Sequence, residues 1–181
     1  MQIQETELKG VFVIDIEPAS DVRGFFARTW NREEFEDMGL VTDIAQCSVS
    51  YNGKQGTLRG LHYQKAPRGE TKIVRCTMGT MFDVVADLRA GSPTRGRWTA
   101  IELSATNRRS VYIPEGCAHG FQTLEDGTEV FYQISVPYSA EHQAGIRWDD
   151  PGLAISWPAE NAIISERDRN LPSLKPSFFS R

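Results

Sequence analysis

The stretch TLRGLHYQKAPRGETKIVRC, residues 57–76, gathers Arg59, His62 and Lys72 among β-branched and aromatic residues. An imidazole beside two cations can belong to a basic sheet surface, supply half of a metal site, or act as the base of an enzyme. The choice depends on what else in the chain can meet His62. Only two further histidines exist, His119 and His142, and His119 closes PEGCAH, residues 114–119, after a Pro-x-Gly turn. Two imidazoles with no third nitrogen and no placed carboxylate make a weak site for zinc, iron or manganese. The residue two after His62 is Gln64 and not another histidine, so no metal centre is expected.

The elements that must position these residues read as short strands. In FDVVADLR, residues 82–89, Phe82, Val84, Ala86 and Leu88 alternate with Asp83, Val85, Asp87 and Arg89, a period of two. Whether Asp83 and Asp87 then line an interior or face solvent is left open. Further strand candidates are 9–16, 72–78, 97–103, 110–114 and 129–136, parted by Gly, Pro, Asn and Asp. Many short strands with such turns predict an all-β sandwich or barrel. Helix is scarce: NREEFEDM, residues 31–38, fits one short helix with Asn31 as N-cap and acids in its first turn. Residues 157–174, rich in Pro and Asn, read as part of a C-terminal extension and not as a second domain.

Composition sets the outer bounds. The chain has 181 residues, 40% hydrophobic, the size of one domain with a full core. A formal net charge of −4 gives no general affinity for polyanions, so no nucleic-acid partner is expected and an anionic ligand needs a local arginine cluster. The N-terminus lacks the pattern of a signal peptide, and no apolar run approaches ~20 residues, so no membrane span is expected. Cys47, Cys76 and Cys117 are odd in number and lack CxxC spacing, which argues against a disulfide framework and for a cytoplasmic protein.

Two histidines delivered by distant strands are similar to half of a cupin site. The chain also resembles the dTDP-4-dehydrorhamnose 3,5-epimerase family over almost its whole length. The matching pieces run in order: D-x-RGFF at 21–26, LRGLHYQ at 58–64, K-I-V-R at 72–75, and DVVADLRAGSPTRGRW at 83–98. IPEGCAHGF at 113–121, E-V-F-Y at 129–132, I-R-W-D-D-P at 146–151 and I-S-E-R-D at 164–168 complete the set. RGLH alone carries little information; the ordered series is highly specific. The resemblance implies a cupin-type jelly-roll barrel spanning 1–181 that works without metal or cofactor, with a C-terminal extension over about 157–181.

It also implies a reaction. Family members epimerise a 4-keto-6-deoxyhexose carried on a nucleoside diphosphate, and the hydrogens at C3 and C5 both lie alpha to the C4 ketone. Their removal needs a base on one face, charge stabilisation at the ketone oxygen and an acid on the other face. By resemblance His62 is the base, Asp168 the carboxylate that orients it, Lys72 the cation at the developing enolate and Tyr132 the acid. Singly, a strand tyrosine fits core packing, Lys72 a strand-edge charge and Asp168 a turn cap; together, in this order, the catalytic reading prevails.

Binding residues follow in the same way. Arg23 and Arg59 match arginines that meet the diphosphate, His119 a polar contact to the sugar or phosphate, Tyr138 an aromatic wall and Phe26 an aromatic near the base. Gln46 matches a polar contact to the sugar. In the family Arg23 and Phe26 lie on an N-terminal segment, about 1–30, that reaches a neighbouring subunit, which implies a homodimer with shared sites. Of the adjacent Phe25 and Phe26, at least one is expected in the core.

The departures from the family pattern cluster on the substrate side. Arg28 stands where a glutamate is usual, and Ile44, Ala45 and Gln46 align with Gln-x-Asn. Glu70 replaces a glutamine two before the lysine, and YNGKQG, residues 51–56, lengthens the link into LRGLH. The expectation is therefore inversion of C3, C5 or both, with dTDP-4-keto-6-deoxyglucose as default substrate. The alternatives are a single-position epimerase or ketoisomerase on another nucleotide sugar, or a non-catalytic sugar-nucleotide binding module.

Overall fold

Alternating side chains separated by turn residues make strands, and strands must pair to satisfy their backbone groups. The structure, a computed structural model, describes residues 1–179; Ser180 and Arg181, the end of the expected extension, lie outside the described residues. The first strands are β1 (Gln2–Glu5), β2 (Phe12–Asp15), β3 (Ala19–Asp21), β4 (Gly24–Phe26), β5 (Gln46–Asn52), β6 (Thr57–Gln64) and β7 (Lys72–Met78). They are followed by β8 (Thr80–Asp87), β9 (Trp98–Ser104), β10 (Ser110–Ile113), β11 (Cys117–Thr123), β12 (Thr128–Ile134), β13 (Gln143–Gly145) and β14 (Ile163–Ile164).

One sheet runs β1-β2-β10-β7-β12-β5 and the other β13-β6-β11-β8-β9, with β14 added in parallel to β6. From β5 onward the chain crosses between the sheets at nearly every connection, the topology of a cupin-like jelly roll. The strand expectations hold, with ends moved by a few residues: 9–16 shrinks to β2, and 82–89 slides to β8. The strands at the N-terminus and at Gln46–Asn52 were not anticipated: β1 is mostly polar, and the apolar residues of β5, Val49 and Tyr51, face outward.

Between the sheets lie Val74, Cys76, Val111 and Val130 from one side and Met81, Val85, Leu103 and Phe121 from the other, all buried. Each sheet is also covered on its back. Behind the first, Phe35 of α1 (Arg32–Asp37) packs on Ile14, Ile73 and Tyr112. Asn31 starts this helix as expected, its Oδ1 accepting the Glu34 N–H at 3.1 Å. Behind the second, Ile146, Leu153 and Ile155 cover Leu61, Val84, Ala86 and Ala118.

That second layer decides the question left open at β8. Its apolar face, Val84 and Ala86, packs outward under the 146–157 segment, so the alternating aspartates point into the barrel, both without exposed surface. Asp87 organises the turn after β8: Arg89 Nε donates to it at 2.9 Å and Thr94 Oγ1 at 2.6 Å, and Ser92 Oγ joins them. Burial alone would raise its carboxyl, but these donors outweigh burial and hold it down at about 2.

The β3–β4 hairpin pairs with neither sheet. Neither Phe25 nor Phe26 is core, contrary to expectation: they are 46% and 74% exposed. The hairpin has no layer above it, and Phe25 instead lies under the Arg108 guanidinium, 4.5 Å from its centroid. Among the described residues no helix is long and apolar enough to cross a membrane.

Candidate active site

β6 and β11 are antiparallel neighbours, with His62 opposite His119. Close approach at this crossing needs glycine on both strands. A Cβ on Gly60, where φ is +123°, would lie 2.5 Å from the Gly120 Cα, and one on Gly120 would lie 2.7 Å from the Arg59 carbonyl. The glycines of RGLH and AHGF thus set the strand geometry that carries both histidines.

Asp168 reaches His62 from the far end of the chain. Ser165 caps the short helix α2 (Glu166–Arg169), accepting the Asp168 N–H at 3.1 Å, and β14 anchors this segment to β6. Asp168 Oδ1 lies 2.8 Å from His62 Nε2, and Oδ2 accepts the Gly60 N–H at 3.1 Å. With Nε2–H committed to the carboxylate, Nδ1 is the nitrogen left free of protein partners among the described residues. Burial works to raise the Asp168 carboxyl, but the His62 hydrogen bond and charge and the Gly60 N–H bring it below its ordinary value. The expected extension is therefore an integral part of the site.

Beside His62 opens a cavity of about 290 Å³ between the two sheets. Of the residues expected at the site, Arg59, His62, Lys72, His119 and Tyr132 line it together. Lys72 Nζ lies 2.8 Å from Glu70 Oε1, both side chains nearly buried, and donates to the His62 carbonyl at 3.3 Å. Arg59 is held by Asn52, whose Oδ1 accepts from Nε at 2.8 Å. His119 Nε2 lies 2.7 Å from Asp83 Oδ2, a second carboxylate-backed imidazole. Tyr132, on the opposite sheet, meets the His119 ring edge-on at 6.0 Å. Burial foremost, and then the Asp83 charge, push its phenol far up, against a smaller opposing effect of Arg59.

The other expected residues stand apart. Arg23 is exposed and pairs with Asp21; Phe26 belongs to a separate hollow with Arg28 and Glu34. Gln46 Oε1 accepts the Tyr138 N–H at 3.0 Å, and the Tyr138 hydroxyl bonds Gln143, which does line the cavity. Tyr138 and Gln46 thus form its rim. β5 begins at Gln46, and Ser48, opposite Tyr132, lines the cavity. Ser48, Ser50 and Gln143 were missed. Period two along β5 was the available signal, with Gln46, Ser48, Ser50 and Asn52 alternating with Cys47, Val49 and Tyr51. It is the apolar side, however, that is exposed, Val49 at 58% and Tyr51 at 60%. Among the described residues, no three His, Cys, Asp or Glu side chains gather as metal ligands.

The fold is a jelly roll of the cupin-like class, and two carboxylate-backed imidazoles, a lysine and a phenol around one interior cavity are the side-chain types that general acid–base chemistry uses. The family model for dTDP-4-dehydrorhamnose 3,5-epimerase matches residues 5–176, and the chain belongs to that family. It is 42% identical to the dTDP-4-dehydrorhamnose 3,5-epimerase of Sinorhizobium fredii, over 96% of this chain and 90% of that protein. It is 37% identical to a dTDP-4-dehydrorhamnose 3-epimerase of Streptomyces niveus, over 94% of this chain and 82% of that protein. The crystal structure of the Bacillus anthracis dTDP-4-dehydrorhamnose 3,5-epimerase with TDP and PPi bound superposes with a TM-score of 0.92 at 40% identity, covering 96% of this chain and 99% of that one.

Proposed function

We propose that this protein inverts C3 and C5 of dTDP-4-keto-6-deoxyglucose. The observation that carries the reading is one cavity with His62, backed by Asp168, on one sheet and Tyr132 on the facing one. In this reading His62 Nδ1 removes the proton alpha to the ketone, and its charge is matched by Asp168 as it forms. Lys72 meets the developing enolate oxygen, where a cation in a secluded site acts far more strongly than in water. Tyr132 returns a proton to the other face of the carbon. The ketone itself is the electron sink, so the reaction calls for neither metal nor cofactor.

Arg59 and His119 are assigned to the diphosphate and sugar, and Tyr138 with Gln46 to the rim. Arg23 and Phe26, exposed and remote from their own cavity, are assigned to the cavity of a partner copy in a homodimer. The chain as a whole is read as one jelly-roll domain. The test is proton NMR of the dTDP-sugar incubated in D₂O, with H3 and H5 followed separately. Loss of both signals with formation of the doubly inverted sugar is expected. Loss of one alone replaces this reading with a single-position epimerase; loss of neither removes the assigned substrate.

A further inference from the structure

The proposed proton transfers leave one buried charge in the barrel without a part. Asp83 has no exposed surface. Its Oδ2 accepts from His119, whereas Oδ1 is buried with no hydrogen-bond partner among the described residues. Such a group is destabilising where it stands, and packing alone gives no reason to keep it. Asp87, on the same face of the same strand, is by contrast held by Arg89, Ser92 and Thr94 and has an evident structural task.

The contacts of Asp83 lead across the barrel. The β8 carboxylate holds the β11 imidazole, with 2.7 Å between Oδ2 and Nε2. That imidazole presents itself to the β12 phenol at 6.0 Å between centroids and 75° between planes. Three strands and both sheets are thereby linked in one line that ends on Tyr132. His119 cannot rotate without breaking the bond to Asp83, and Tyr132 cannot swing toward β11 without meeting His119.

We infer that Asp83 is a positioning residue for Tyr132, acting through His119 to hold the phenol over the face of the sugar opposite His62. The inference rests on the reading of Tyr132 as the acid. The negative charge adds to the effect: with burial first, it raises the phenol, so Tyr132 keeps its proton until an enolate is present to take it. In that step the phenol O–H bond breaks as the new C–H bond forms. The enolate electron pair supplies that bond, the C4 carbonyl is restored, and a phenolate remains to be reprotonated from solvent.

The consequence is specific. With the phenol misplaced, His62 still forms the enolate, but the proton returns from the His62 face, giving exchange without inversion. In D₂O, Asp83→Ala is expected to raise the ratio of deuterium incorporation to inversion roughly tenfold, within the range one general acid contributes. Asp83→Asn, which can still accept from the His119 N–H, is expected to recover part of the loss. Should the alanine variant fail to fold, Asp83→Ser, whose shorter side chain gives up the bond to His119, is read in the same way. A ratio equal to wild type, or exchange and inversion falling in parallel, overturns the inference. Tyr132→Phe is the control: if it inverts normally, the assignment of the acid itself is wrong. If it exchanges without inverting while the Asp83 variants match wild type, only the role of Asp83 fails.

Discussion

His62 and His119 face each other across β6 and β11, yet each is held by an aspartate from a different element: His62 by Asp168 of α2, His119 by Asp83 of β8. The two couples differ in access. The His62 side chain is 28% exposed and that of His119 only 4%. The more accessible imidazole suits an encounter with a substrate carbon; the enclosed one suits holding other groups in place.

His62→Ala should therefore abolish deuterium exchange into the sugar, by at least about 10²–10⁴-fold. Binding of dTDP, measured by calorimetry, should change little, because the arginines are untouched. Exchange that survives the substitution would mean that the base has been misassigned.

Glu70 sits 2.8 Å from Lys72 and offsets its charge inside the cavity. Glu70→Gln restores the family's neutral residue and leaves one more net positive charge near the anionic diphosphate. The dissociation constant for dTDP should fall roughly threefold or more at low salt and converge on wild type as salt rises. Weaker binding would show that Glu70 itself contacts the ligand favourably.

If Arg23 serves the partner's cavity, two impaired variants should complement each other. Arg23→Ala and His62→Ala chains, unfolded and refolded together in equal amounts, should recover about a quarter of wild-type activity, since half the dimers are mixed and each has one intact site. Recovery no greater than the sum of the separate variants would place Arg23 in its own chain's site or outside any site.

Asp87 makes an acid-stability prediction. Its folded carboxyl, at about 2, lies below the ordinary 3.8, so the associated stability is fully present above about pH 4. It is lost as pH falls toward the folded value, a contribution on the order of 2 kcal/mol. Melting temperatures of wild type and Asp87→Asn, compared from pH 6 to pH 2, should differ most at the upper end and converge at the lower. A constant difference would show that Asp87 acts through shape alone.

Much of this protein was legible in its residues. Period two at FDVVADLR gives a strand whatever surrounds it, since side chains on a pleated backbone alternate faces. The Asn31 cap is equally local, needing only the amide three residues on. The ordered motifs around His62, Lys72, Tyr132 and Asp168 identified the family because their residue types and order survive in the chain itself. Other features depended on what packs where. β5 has an apolar face, but that face, with Val49 and Tyr51, is the exposed one. The usual rule of apolar side inward therefore misleads, and the place of Ser48 at the cavity emerged only from its pairing with β12. The exposure of Phe25 and Phe26 followed from the absence of a covering layer, which no property of an aromatic side chain reveals.

The sequence by itself determined most of the strands, the family and the candidate site side chains, because these rest on local periodicity and residue chemistry. Only the tertiary structure decided which face of β8 is inside. Alternation divides a strand into two faces without naming the inner one, and the 146–157 segment claims the apolar face from outside. Asp83 is thereby turned into the barrel, and with it comes the second carboxylate–imidazole couple beside Tyr132.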